Sequence, residues 1–318
     1  METSGRELEP EVSSPPAVTV LVPTYRSGGS LRFALESIRR QSFRNYEVIV
    51  IGDGDPEPSG DIVRSIGDDR FRYIASVRNS GTQAYPNQRG TENANGRWIA
   101  YLGQDDLWMP WHLEQLFAAS RVDTPSDESF LYVQAYMLGP EGLRRLSGLV
   151  TKNRDEERFG WSVPPSAWMH RADLGARIGG WREDPSALRP VDLDFLMRAI
   201  DSGATLRHGP RPSVLKFPSA WFNAYGASPI RPQADYLRLI RACPEELERK
   251  LLMDSARLSA ELWHRLEHGT PSAIARRLAH AMVDHFLVRA SATPGLRWLW
   301  RAHWRRQRRK GRTLRGLA

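Results

Sequence analysis

The chain is 318 residues long, enough for one large domain with an appendage or for two modest domains. Its 41% hydrophobic and 26% charged residues argue against wholesale disorder, and no run reaches the ~18 apolar residues that a membrane span requires. The formal net charge of +8 suggests a nucleic-acid partner only until it is located: ten basic and no acidic residues follow Asp284, and the other 35 basic residues face 37 acidic ones, a net of −2 for the body.

Residues 1–16 are acidic and polar and end in Ser-Ser-Pro-Pro, which reads as a flexible leader rather than a secretory signal. The single cysteine, Cys243, leaves no internal disulfide and fits a reducing compartment, so a cytoplasmic location is expected. Val18-Thr-Val-Leu-Val22 predicts a strand closed by Pro23. Leu31, Ala34, Leu35 and Ile38 then share one helical face behind Ser30. Val48-Ile-Val-Ile51 predicts a strand ending in Gly52-Asp53-Gly54-Asp55, followed by a helix over 59–66 and a strand over 72–77. Trp98-Ile-Ala-Tyr-Leu102 predicts another strand, running into Gly103-Gln104-Asp105-Asp106 and a helix opened by Pro110. Short apolar strands alternating with helices predict a mostly parallel sheet covered on both faces. Beyond 129 the reading is a strand over 130–138, a Gly/Arg-rich connection, a Trp-rich stretch over 160–181 and a helix carrying Leu193, Leu196, Met197 and Ile200. Residues 233–290 read as helical throughout.

In an open parallel sheet, ligands bind beyond the carboxyl ends of the strands. Three strand ends carry polar residues, Pro23-Thr24-Tyr25, Asp53 and Gln104-Asp105-Asp106, and would converge on one crevice. A carboxylate at 53 can accept the imide N–H of a uracil-type base. The second acidic cluster suits Mg²⁺ or Mn²⁺ shared with substrate phosphates. Taken singly, Gly and Asp after a strand are also ordinary turn residues.

Val18–Tyr25, Leu35-Glu-Ser-Ile38 with Gln41-Ser-Phe43, and Tyr46–Gly54 follow one another in order. Asn79-Ser-Gly81, Asn87, Ala94-Asn-Gly96 and Trp98–Trp108 come next, and Pro164–Arg171, Ile178-Gly-Gly-Trp181 and Val191–Arg198 complete the series. Together they resemble family 2 glycosyltransferases, inverting enzymes with the GT-A nucleotide-sugar-binding fold. The resemblance implies an α/β domain over 17–228, a mostly parallel central sheet flanked by helices, followed by a helical C-terminal extension over 229–292 and a basic amphipathic tail over 293–318.

Carried over residue by residue, it implies that Pro23, Thr24, Tyr25, Asp53, Asn87, Gln104 and Asp105 bind a nucleotide-diphosphate sugar, a UDP-sugar being favoured. Asp105 would also hold a divalent metal (Mg²⁺ or Mn²⁺), and Asp192 would be the catalytic base acting on the hydroxyl of a glycan or lipid-linked acceptor. Two departures stand out: the acid usual two positions before the metal aspartate is Gly103, and the Glu-Asp pair usual before the helix at 193 is Val191-Asp192. These keep open a non-catalytic nucleotide-sugar or glycan-binding protein on a degenerate scaffold. A nucleotidyltransferase fits less well, because Pro23–Ser30 is a poor phosphate loop.

Asp192 falls in a helical first turn behind Pro190, where the helix dipole stabilises any carboxylate, base or not. Asp194 is read as an ion-pair partner of Arg198 four residues on. Trp161, Trp168, Trp181 and Trp221 fit either sugar stacking or packing, and His170 and His208 have no spaced metal-ligand partner. In the tail, Leu296, Leu299, Trp300, His303 and Trp304 share a face amid arginines. That pattern suits an anionic membrane surface, with a solvated charged end and RNA as alternatives. No nucleic acid is expected for the body.

Overall fold

The computed structural model describes residues 15–56, 59–120, 129–147, 163–183, 190–222, 224 and 231–267; the leader up to residue 14, the basic tail and Trp161 lie outside the described residues. In chain order the strands are β1 (Val18–Thr24), β2 (Tyr46–Asp53), β3 (Phe71–Ser76), β4 (Trp98–Tyr101), β5 (Leu107–Trp108), β6 (Ser129–Tyr132), β7 (Ala135–Gly139), β8 (Gly142–Ser147), β9 (Trp168–Arg171), β10 (Thr205–His208) and β11 (Val214–Lys216). The α-helices are α1 (Ser30–Arg39), α2 (Ser59–Ser65), α3 (Ala84–Glu92), α4 (His112–Ala119), α5 (Ala172–Arg177), α6 (Val191–Asp201), α7 (Gln233–Ala242) and α8 (Pro244–Glu267).

Seven strands form the main sheet in the order β10-β6-β9-β4-β1-β2-β3. β1 lies parallel to both β2 and β4, with Val18 opposite Tyr46 on one side and Trp98 on the other. β2 is parallel to β3, and β10 to β6. β9 alone runs antiparallel, joining β4 to β6 through Trp98 opposite Arg171 and Phe130 opposite His170. The central strands are continuous apolar runs because both faces are covered. Val20, Val22, Val48 and Val50 pack with Leu31, Leu35 and Ile38 of α1 and Leu113 and Leu116 of α4. Leu21, Ile49, Ile51 and Ile99 face the other way, toward Ala84, Leu174, Phe195 and Leu196 of α3, α5 and α6.

A second, four-stranded sheet in the order β5-β11-β7-β8 was not anticipated. The expected strand over 130–138 is two strands: Phe130 to Tyr132 belong to the main sheet, and after Val133-Gln134 the chain enters the second sheet. The stretch read as a Gly/Arg-rich connection is β8, whose exposed Arg144 and Arg145 hid its strand character. The expected helical extension is present over 233–267, divided at Cys243 (φ −151°) with Pro244 opening α8. Leu237, Ile240, Leu247 and Leu251 bury against Tyr136, Leu138, Leu215 and Phe217 of the second sheet, each contributing about 2 kcal/mol of burial. No helix of the described residues is long and apolar enough to cross a membrane.

Candidate active site

Because β4, β1 and β2 are adjacent and parallel, their carboxyl ends share one edge of the sheet. The Gln104 side chain ties two of those ends together. Its Oε1 accepts from the Thr24 hydroxyl (2.8 Å) and the Tyr25 N–H (2.7 Å), and its Nε2 donates to the Tyr25 carbonyl (2.9 Å). Asp55 links β2 to the same loop, accepting from the Arg26 N–H (3.0 Å) and from the Ser59 hydroxyl. The loop that results is strained: among the described residues Arg26 (φ 48°) is the non-glycine residue with positive φ, and Gly28 (φ 55°) and Gly29 (φ 88°) follow it into α1. A left-handed arginine costs about 1 kcal/mol, and strain of this kind concentrates at functional sites.

Asp53 ends β2 with 4% of its surface exposed and fixes the 79–82 loop. Its two oxygens each lie 3.1 Å from the Ser80 N–H, and one also accepts from the Ser80 hydroxyl at 2.9 Å. The next residue has to be glycine: Gly54 has φ 62°, and a β-carbon there would lie 2.2 Å from the backbone nitrogen of Asn79. Asn87 sits on the buried face of α3, fully enclosed, with neither amide atom hydrogen-bonded. Pro23 and Tyr25 are partly exposed at the end of β1.

The adjacent acids after β4 have opposite surroundings. Asp106 is fully buried and saturated: it accepts from the Phe217 N–H (3.0 Å), the Lys216 ammonium (2.8 Å) and the Ser166 hydroxyl. Burial pushes its pKa up to about 6 against the pull of Lys216. Asp105 is partly open. One carboxylate oxygen accepts from Ser219 (2.7 Å), and its backbone carbonyl accepts from Gln233 Nε2 (3.0 Å). Gly103 packs beneath both acids; a β-carbon there would be 2.8 Å from Asp106 Oδ2 and 3.3 Å from Asp105 Oδ1. Among the described residues no three His, Cys, Asp or Glu side chains cluster as a complete metal cage. Asp105 fits the other arrangement, in which a hard cation takes one carboxylate and completes its shell with phosphate oxygens and water.

Asp192 lies in the first turn of α6, half-buried, with one oxygen accepting from the Leu193 N–H (3.0 Å). Asp194 pairs with Arg198 (2.8 Å) and faces Arg182 (3.5 Å). Arg198 also donates to the carbonyls of Ile178 and Gly180, so this group staples α6 to the turn after α5. Trp168, Trp181 and His170 are core residues. The Trp181 indole N–H donates to the Tyr101 hydroxyl (2.8 Å), which is 2.8 Å from His170 Nε2. With His170 Nδ1 2.7 Å from the Arg171 carbonyl, Nδ1 carries the proton and Nε2 accepts. Burial holds the His170 pKa down to about 4. His208 lies in β10, its Nδ1 3.1 Å from the Gly209 carbonyl, and Trp221 is 42% exposed.

Sequence reasoning did not single out Ser166, Lys216, Ser219, Arg231 and Gln233. They come from irregular segments, the second sheet and the start of α7, and reach the acidic loop or, for Arg231, the loop after β1 through tertiary packing, so no spacing announces them. Ser166 alone sits inside a quoted stretch, Pro164–Arg171.

Comparison with known proteins agrees with this architecture. Residues 19–131 match the model of glycosyl transferase family 2. EpsH of Bacillus subtilis is 36% identical over 123 residues, 38% of this chain and 34% of EpsH. The succinoglycan biosynthesis protein ExoO of Rhizobium meliloti is 36% identical over 107 residues, 34% of this chain and 30% of ExoO. The chain thus spans about a third of the length of these curated relatives. Among solved structures, residues 1–349 of TarS from S. aureus superpose with a TM-score of 0.55, both in complex with UDP (18% identity, 94% of this chain and 90% of that one) and in complex with UDP-GlcNAc (16% identity, 94% and 88%). Residues 19–131 are thus similar to glycosyl transferase family 2, and the central sheet flanked by helices gives the chain a GT-A fold like that of TarS.

Proposed function

We propose that the chain is an inverting glycosyltransferase that moves a sugar from a nucleoside-diphosphate donor, a UDP-sugar, to an acceptor hydroxyl in the synthesis of a surface polysaccharide or glycolipid. The convergence of the β1, β2 and β4 ends on one edge of the sheet, with Asp105 keeping one carboxylate oxygen uncommitted, is the observation that carries this reading. ExoO, a succinoglycan biosynthesis protein, supports the class of product, and the UDP and UDP-GlcNAc complexes of TarS support the class of donor.

In this reading Asp53, held by Ser80, receives the base, while Pro23, Thr24 and Tyr25 line the nucleotide and Gln104 keeps the Tyr25 backbone in place. Asn87 completes the donor side. Asp105 would hold Mg²⁺ or Mn²⁺, and a bound cation supplies positive charge to the departing diphosphate. Asp192 takes the proton of the acceptor hydroxyl as that oxygen attacks the anomeric carbon from the face opposite the nucleotide. A single displacement inverts the anomeric centre and needs no nucleophilic side chain. The same reading places the enzyme in the cytoplasm, at the inner membrane face through its basic tail.

Calorimetric titration of UDP, with and without Mn²⁺, into wild type and Asp105→Ala tests the donor site. Metal-strengthened binding that Asp105→Ala removes is expected. A wild type that binds no nucleoside diphosphate under either condition overturns the reading and leaves a degenerate scaffold, to which Gly103 already points.

A further inference from the structure

Gly28 lies four residues beyond the end of β1, on the crevice edge of the sheet, and its φ of 55° suits glycine. The space where its side chain would be is filled by Arg231: a β-carbon at 28 would fall 1.7 Å from Nη2 and 2.3 Å from Cζ of that guanidinium. Two residues further on, Gln233 is 3% exposed and donates to the Asp105 carbonyl at 3.0 Å, which pins the start of α7 beside the acidic loop. Arg231 therefore stands between the strained loop after β1 and the Asp105 end of β4.

Its charge is uncommitted. Lys216 is tied to Asp106, and Arg26 lies over the ring of Tyr25. Arg231 makes no ion pair, hydrogen bond or ring contact among the described residues. An arginine presents a planar fork of donors suited to phosphate oxygens. Beside it the first turn of α1 has no acidic residue of its own, and Gly29 provides no side-chain cap for the positive end of that helix. Gly103 leaves the loop after β4 without a further acid and Asp106 is saturated, so Asp105 alone of these positions would anchor a cation, and a guanidinium fixed by the fold would hold the diphosphate independently of it.

We propose that Arg231 binds the diphosphate of the donor and takes up the charge that develops on it, an assignment that rests on the glycosyltransferase reading above. As the acceptor oxygen bonds to the anomeric carbon, the bond from that carbon to the diphosphate oxygen breaks. The electron pair stays with the diphosphate, against the guanidinium, and the acceptor proton passes to Asp192. Arg231 remains charged throughout.

The experiment is titration of UDP and of uridine into the full chain, in Mn²⁺ and again in EDTA, for wild type, Arg231→Gln and Arg231→Lys. Hydrogen bonds to a charged group predict that Arg231→Gln weakens UDP about tenfold or more in both conditions. Uridine, which lacks phosphate, keeps its affinity, and Arg231→Lys falls between. Arg231 is exposed and has no partner among the described residues, so neither substitution threatens the fold. Gly28→Ala, checked for folding by circular dichroism, displaces the guanidinium and produces the same selective loss. Wild-type affinity for UDP in Arg231→Gln overturns the assignment and leaves the glycosyltransferase reading intact. A wild type that ignores UDP in both conditions removes the donor site, and this assignment with it.

Discussion

Asp105→Ala and Asp106→Ala, one residue apart, separate binding from stability. Asp106→Ala strips partners from the Lys216 ammonium, the Phe217 N–H and the Ser166 hydroxyl in a fully buried setting, and breaking such a pair costs about 3–5 kcal/mol. Urea denaturation should show that loss for Asp106→Ala and a far smaller one for Asp105→Ala, whose side chain gives up the Ser219 hydrogen bond. UDP titration should show the reverse order, read on whatever fraction of Asp106→Ala is folded. Asp192→Asn is expected to slow sugar transfer by about 10²- to 10⁴-fold while UDP affinity stays at the wild-type value. A transfer rate within a few-fold of wild type would take Asp192 out of the mechanism. The spacing of Gln104-Asp105-Asp106 does not by itself separate the two carboxylates; the resemblance favours Asp105 for the metal, and the approach of β11 and Ser166 is what commits Asp106 to the fold. Gln104 looked like a ligand contact for the same reason, and its amide is spent on Tyr25.

α3 lies on the β1 and β2 strands through Gly90, where an added β-carbon would come within 2.8 Å of Ile51 and Leu21 methyl carbons. Gly90→Ala should therefore cost about 1–3 kcal/mol by overpacking, although alanine is the better helix former. A rise in melting temperature would contradict that contact. Arg198→Ala removes the staple between α6 and the 178–180 turn and leaves Asp194 and two carbonyls short of a donor; a loss of about 2–4 kcal/mol is expected in denaturant. Elements whose pattern is local were legible in the sequence. β1, α1, β2 and β4 each carry a closed apolar period with a turn residue at the end, and their limits fall within a residue or two of the expected ones. The second sheet was not legible: Val133-Gln134 contains no turn former to mark the change of sheet, β5 is two residues long, and β8 shows polar residues on its open face.

The whole molecule carries a built-in sensitivity to acid. His112 and His170 are fully buried, and burial lowers their pKa values to about 3 and about 4 from the usual 6.5. Unfolded, both take up protons below about pH 6.5; folded, they resist until the lower values, so stability is complete above that pH and is lost as pH falls toward 4. Asp106, raised to about 6, acts in the opposite sense between roughly pH 6 and 4, because there the folded form binds the extra proton. Two histidines outweigh one aspartate, so the melting temperature should be highest near neutrality and fall steadily below pH 6.5. His112→Gln, which keeps a hydrogen-bonding group near Ser213 and removes the titration, should flatten that slope; an unchanged slope would exonerate His112.

The antiparallel β9 has a consequence for how the protein is made. The strands from the first hundred residues, β3-β2-β1-β4, end in an open edge at β4, and the strands from the rest, β6 and β10, reach that edge only through the four residues Trp168–Arg171. On the ribosome the N-terminal half of the sheet therefore emerges with an unpaired apolar border, and it stays so for several seconds at ~5–20 residues per second while the chain up to Arg171 is synthesised. Until then Ile99 and Ala100 present a bare hydrogen-bonding ladder to any neighbouring nascent chain. Expression of a fragment ending near residue 120 should yield aggregates, whereas one extended past β9 gains the closing strand.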